Sequence, residues 1–67
     1  MTTEINLWQT AWIIAEQHGR DGPAFADRMA DSFKLGHRMD AHQAWRSIAV
    51  KVALLLEAGA SRHAQLH

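Results

Sequence analysis

The chain has 67 residues, of which 48% are apolar and 21% charged, and this length predicts one small domain spanning residues 1–67 with no room for a second. Its seven lysine and arginine residues balance its seven aspartate and glutamate residues, so net charge gives no reason to expect a polyanion or a charged membrane surface as partner. The absence of cysteine excludes a disulfide framework, a thiolate zinc site and a thiol nucleophile.

The first predicted helix covers residues 4–18. Thr2 or Thr3 is suited to cap it, and Gly19 follows its end, where a residue in the left-handed conformation is favoured. One apolar stripe at helical spacing is expected to face the core, with a second apolar row beside it. The stripe consists of Ile5, Trp8, Trp12 and Ala15, and the flanking row of Leu7, Ala11 and Ile14.

The second predicted helix covers residues 23–35. Pro23 suits its first turn, Asp21 or Gly22 precedes it as the cap, and Gly36 ends it. Its apolar face comprises Phe25, Ala26, Met29, Ala30 and Phe33.

The third predicted helix covers residues 41–58 and has the strongest start signal of the chain. Asp40 serves as the cap, and Gln43, three residues on, completes a capping box. Gly59 supplies the stop, and residues 60–67 are expected to form a frayed tail. The inner face comprises Trp45, Ile48, Ala49, Val52, Leu55 and Leu56.

Three amphipathic helices joined by connections of about four or five residues predict an all-α fold, a small three-helix bundle of up-down-up or more open form. Trp8, Trp12 and Trp45 are expected to meet inside it.

The segment 48–56 is apolar almost all round and is interrupted only by Lys51. Val50 and Leu54 lie on the back of the third helix, and Ile13 holds a similar position on the first. A helix that is apolar on two faces usually packs against two other structural elements. We therefore expect a homodimer or a stable protein partner whose interface includes these three residues. The alternative is a monomer in which the third helix is covered on both sides.

Neither a metal site nor an active site is indicated. His63 and His67 are four residues apart but have no third ligand near them in sequence. A protonated His18 is expected to be favoured by the negative, C-terminal end of the first helix, where capping is its default role. No nucleophile elbow, phosphate loop or paired carboxylates are found, so we expect a non-enzymatic protein without cofactors.

Charge is distributed unevenly along the chain. Residues 1–33 carry five acidic and two basic side chains, whereas residues 34–67 carry two acidic and five basic ones. A basic cluster spans the second connection and the start of the third helix, where it could contact a phosphate or an acidic partner. This basic cluster comprises Lys34, His37, Arg38, His42 and Arg46. The helix-turn-helix order also suggests a nucleic-acid-binding regulator as the alternative, although the turn is long and the helix after it poor in arginine.

The N-terminus, Met1–Glu4, lacks the basic region and apolar core of a signal peptide. No apolar stretch approaches the roughly 18 residues of a membrane span. We therefore expect a protein of the bacterial-type cytoplasm.

The spaced packing and turn residues between Ile5 and Leu56 resemble a family of short alphaproteobacterial proteins catalogued as a domain of unknown function. The residues that carry the resemblance are Leu7-Trp8, Ala11, His18-Gly19, Pro23, Phe25, Arg28, Gly36, Trp45 and Ile48-Ala49. The resemblance implies a small helical bacterial protein with Trp8, Phe25 and Trp45 as packing anchors, and it implies no activity. The chain departs from the family pattern after Gly36, where His37 stands in place of an acidic residue.

Together these patterns favour a non-enzymatic helical protein-interaction module that self-associates through the third helix.

Overall fold

The computed structural model describes the backbone of residues 4–65 and the side chains of residues 4–58. Three α-helices follow one another, α1 (Glu4–His18), α2 (Gly22–Leu35) and α3 (Met39–Gln65), and a single 3-10 turn (Gly19–Asp21) connects the first two. No strand occurs within residues 4–65, so the all-α prediction is confirmed for this part of the chain.

The first connection is shorter than predicted. Gly19 adopts a left-handed φ of 56°, as expected at the end of α1, but the chain resumes helical structure at once instead of forming a loop. Asp21 precedes α2 without a side-chain capping hydrogen bond. Residues 4–35 therefore form one long bent helical segment that packs against α3, which is a more open arrangement than a regular three-helix bundle. The caps proposed at Thr2 and Thr3 lie outside the described residues.

The second connection ends α2 in an unexpected way. The helix ends at Leu35, before Gly36 as predicted, but the left-handed residue of the connection is His37, with a φ of 61°. The amide of Arg38 donates to the carbonyl of Phe33 at 2.8 Å, and the amide of His37 donates to the carbonyl of Lys34 at 3.1 Å. These two bonds form a Schellman motif in which a histidine occupies the position usually held by glycine.

The predicted bounds of the third helix were too narrow at both ends. The amide of His42 donates to the carbonyl of Arg38 at 2.9 Å, so the helix begins at Met39 and Asp40 lies inside its first turn instead of capping it. Gly59 does not end the helix, which continues to Gln65. A helical glycine costs only about 1 kcal/mol, and no proline follows to enforce a stop.

The core is built mostly from small side chains. Four alanines are buried, and Val52 is the largest side chain with no exposed surface among the described residues. Gly22 lies so close to α3 that a Cβ atom added there would stand 2.7 Å from Cγ1 of Val52. The helices can approach this closely because little side-chain volume separates them. The core cluster comprises Ala11, Ile14, Ala26, Ile48, Ala49 and Val52, and Ala30 is buried as well.

The prediction that three tryptophans meet inside was wrong for two of them. Trp45 is half-buried and packs on the core, but Trp8 is 37% exposed and Trp12 55% exposed. The row Leu7, Ala11 and Ile14 faces the core instead. The small side chain of Ala11 lets this row approach α3 more closely than the tryptophan stripe could.

The three helix–helix interfaces differ in extent. The interface of α3 with α2 is the most extensive, that of α3 with α1 is smaller, and α1 and α2 touch least. The radius of gyration is 12.8 Å, against about 11 Å for a compact chain of this length, and the dimensions are 47 × 22 × 15 Å. This open arrangement leaves large apolar side chains uncovered.

Candidate interaction surface

A stripe of large apolar side chains runs along the outside of α1. Ile5, Trp8 and Trp12 are spaced three and four residues apart, which places them on one face of the helix, and all three are exposed. We call these residues the α1 stripe. The sequence pattern identified them as one stripe but predicted that they would be buried.

A second exposed apolar row lies on the back of α3. Val50 is 61% exposed and Leu54 is 50% exposed. They stand four residues apart on one face of the helix, turned away from the buried Ile48, Ala49 and Val52. We call this pair the α3 row. No other element among the described residues covers it.

Ile13 belongs to neither row. It is exposed, as expected, but it follows Trp12 by one residue and therefore lies about 100° further around α1. This position is almost opposite the buried Ala11. The structure does not bring Ile13 together with the α3 row.

Lys51 occupies the junction between α1 and α3. Its ammonium group lies 2.8 Å from Oε1 of Glu4, donates to the Ser47 hydroxyl at 2.8 Å, and stands 5.1 Å from the ring centroid of Trp8. The lysine side chain is only 10% exposed, whereas that of Glu4 is 69% exposed. A buried ammonium group requires such partners, because leaving it unpaired would cost several kcal/mol.

Lys51 lies near one member of each exposed row. Trp8 of the α1 stripe lies against its ammonium group, and Leu54 of the α3 row follows it by three residues on the same side of α3. Val50 is about 100° away from Lys51 around the helix. In the sequence, Lys51 is visible only as the one charge that interrupts an apolar segment. Its apolar neighbours were the available signal that this charge is buried and paired.

The basic cluster is divided by the structure. Lys34, His37, Arg38 and Arg46 are exposed, but Arg38 lies 4.0 Å from a carboxylate oxygen of Asp40. This ion pair is weak because both side chains are largely exposed. Asp40 also adds an acidic group to the first turn of α3, beside the position proposed for a phosphate.

His42 makes a contact between helices. Its Nδ1 lies 2.8 Å from the carbonyl oxygen of Ala30 in α2. Because a carbonyl oxygen can only accept, Nδ1 carries the hydrogen in this bond. The half-buried ring thus ties the start of α3 to α2 and has only Nε2 left for another partner.

His18 stacks in an aromatic column instead of acting only as a charge at the end of α1. Its ring lies 4.2 Å from that of Phe25 with an angle of 15° between the planes. Phe25 in turn meets Trp45 edge to face, with 6.2 Å between ring centroids. His18, Phe25 and Trp45 belong to α1, α2 and α3 respectively, so the column links all three helices.

A groove of about 860 Å³ separates α1 from the first half of α3. Its walls combine apolar side chains such as Leu7 and Ile48 with polar ones such as Thr10 and Gln43. The hydroxyl of Thr10 donates to the carbonyl of Asn6 at 3.0 Å. The lining residues are Asn6, Leu7, Thr10, Arg38, Asp40, Ala41, Gln43, Ala44, Trp45, Ser47 and Ile48.

Among the described residues, no three or more histidine, aspartate or glutamate side chains are grouped so that they could hold a metal ion. None of the described helical segments has both the length and the apolar character needed to cross a bilayer. The side chain of His63 and all of His67 lie outside the described residues.

No protein-family model, curated protein or solved structure matches the chain. The resemblance to the alphaproteobacterial family therefore stays a prediction.

Proposed function

We propose that this chain is a non-enzymatic helical protein-interaction module that self-associates through the back of α3. The observation that carries the proposal is the exposure of Val50 and Leu54 next to a core in which most buried side chains are alanine. Soluble monomers rarely leave large apolar patches in water, and such patches commonly mark protein interfaces. We also propose that the protein resides in the cytoplasm.

Self-association would also compensate for the small core. A chain of this length is marginally stable as a monomer, and its buried alanines contribute little apolar area. Covering the exposed side chains would add about 25 cal/mol for each Å² removed from water. In such a dimer, the open three-helix arrangement of each copy would become part of a closed helical bundle.

The double variant Val50→Glu/Leu54→Lys tests the proposal. It replaces the α3 row by a glutamate and a lysine four residues apart, an order that supports a helix and leaves the net charge unchanged. We expect the unmodified protein to sediment as a dimer at tens of micromolar and the variant as a monomer with the same far-ultraviolet circular dichroism.

Ala24→Glu is the control, since Ala24 is an exposed small residue on α2 and not on the helix that carries the α3 row. It should sediment like the unmodified protein. A monomeric unmodified protein, or a double variant that remains a dimer, would contradict the proposal.

The nucleic-acid alternative rests on the exposure of Lys34, Arg38 and Arg46 around the second connection. It has less support, because Asp40 lies beside Arg38 and His42 is bonded to Ala30. It would require salt-dependent binding that weakens when Arg38 and Arg46 are neutralised. Failure to retain duplex DNA or RNA at about 50 mM salt would reject it.

A further inference from the structure

The α1 stripe and the α3 row have matching spacings and opposite end charges. Trp8, Trp12 and the exposed Glu16 follow one another at intervals of four residues on α1. The exposed Arg46, Val50 and Leu54 follow one another at the same interval on α3. Each interval advances about 6 Å along its helix, so the two series match in length over two turns.

We infer that the α1 stripe of one copy packs antiparallel on the α3 row of a second copy. In this register Trp12 lies opposite Val50 of the second copy, Trp8 opposite Leu54, and Glu16 opposite Arg46. The apolar side chains are covered while the two end charges form a pair at the rim. The inference rests on the proposed self-association and names the surface that covers the α3 row.

A single two-fold axis accommodates this contact. A two-fold rotation that places α1 of one copy on α3 of the second copy also places α1 of the second copy on α3 of the first. The interface is then self-complementary and contains the Glu16–Arg46 pair twice. Ile13, Leu35 and Met39 stay exposed outside this interface.

The exposed apolar side chains allow a dimer contact of small size. The side chains of the two rows, Ile5, Trp8, Trp12, Val50 and Leu54, are between 37% and 68% exposed, and burying all of them on both copies gives a contact at the lower end of the range for biological interfaces, which begins at about 1,000 Å² in total. Tryptophan is also the residue type most often found to dominate binding energy at the centre of an interface.

A charge-reversal cycle tests the register. Glu16→Arg and Arg46→Glu each place like charges opposite one another at two symmetric positions. Each single variant should raise the dimer dissociation constant by about tenfold, and the double variant should return it to within about twofold of the original. Sedimentation at several protein concentrations measures these constants. Asp27→Arg, an exposed reversal on α2 outside both rows, is the control and should change the constant by less than about twofold.

A second pair of variants tests the apolar contact. Trp12→Gln should raise the dissociation constant at least about tenfold, because the tryptophan lies at the centre of the contact. Ile13→Gln makes the same kind of change on the next residue, outside the α1 stripe, and should leave the constant nearly unchanged.

The outcomes separate this inference from the broader proposal. If Val50→Glu/Leu54→Lys dissociates the dimer but Glu16 and Arg46 show no coupling and Trp12→Gln has no effect, α3 rows pair with each other and the inference is overturned while self-association stands. If the unmodified protein is monomeric, both fail.

Discussion

Gly22 is the residue at which α2 comes closest to α3. A methyl group there would stand 2.7 Å from Cγ1 of Val52, a fully buried and stiff side chain that cannot move aside freely. We expect Gly22→Ala to lower the free energy of unfolding by about 1–2 kcal/mol, because overpacking outweighs the helix propensity that alanine adds.

Gly36→Ala provides the comparison for Gly22. Its Cβ would meet only backbone oxygens at 3.7 Å, and its φ of −87° suits any residue. This substitution should be neutral or stabilise by up to about 1 kcal/mol. Urea unfolding of both variants at one protein concentration measures the difference, and equal effects of the two substitutions would show that the close approach is not what requires glycine.

Lys51 is stabilised by its partners but is not required for packing. Lys51→Met keeps the aliphatic stem over Trp8, removes the buried charge and leaves Glu4 largely in solvent. We expect a change in the free energy of unfolding of less than about 1 kcal/mol. Lys51→Glu places a second carboxylate against Glu4 and should cost about 3 kcal/mol or more. Lys34→Glu, the same reversal at an exposed site, should stay within about 0.5 kcal/mol. A destabilisation by Lys51→Met as large as that by Lys51→Glu would contradict this view of the site.

Single residues could be predicted from sequence only where a local rule had one candidate. Gly19 was recognised as the left-handed end of α1 because no competing residue stands beside it. At the end of α2, Gly36 was the obvious candidate, yet the chain places it one position early and uses His37 instead. Glu4 and Trp8 could not be predicted as partners of Lys51, because they come from another helix.

The connection between α2 and α3 is the element with the clearest local strain. A histidine at a φ of 61° costs about 1 kcal/mol relative to glycine. His37→Gly should therefore raise the free energy of unfolding by about 1 kcal/mol without changing either helix, as measured by urea unfolding. His37→Ala relieves no strain and should give no gain. A gain from alanine equal to that from glycine would mean that the histidine side chain, and not the backbone conformation, is unfavourable.

The helices themselves illustrate what periodicity can predict. The bounds of α1 and α2 agree with the prediction to within a residue, because glycine and proline flank them. The prediction of which face of α1 turns inward was wrong. Two apolar rows have the same spacing, and only the small size of Ala11 and Gly22 favours one of them. The extension of α3 beyond Gly59 was missed because glycine was treated as a certain stop.

For the whole molecule, folding and association should be coupled. If two copies cover each other's exposed rows, dilution favours the less stable single chain, so the midpoint of thermal unfolding should rise with protein concentration. Circular dichroism melts over a hundredfold range of concentration would measure the effect. The Val50→Glu/Leu54→Lys variant should melt at one temperature throughout. A concentration-independent melt of the unmodified protein would contradict the coupling.

At this scale the sequence predicted the location of only part of the exposed apolar surface. Val50 and Leu54 are exposed where the pattern of α3 placed them, whereas the α1 stripe became visible only once the orientation of α1 was known. Which surface covers which depends on distances between helices, and helical periodicity carries no information about those distances.

Alanine fills four of the buried positions between the helices. A natural variant can shrink such a position only to glycine and can enlarge it only by forcing two helices apart. In many proteins the large core residues tolerate the least substitution. Here the smallest residues should tolerate the least, and bulky surface residues should vary freely unless another molecule covers them. Among homologous sequences, exposed positions that keep the same large residue would identify the surface that another molecule covers.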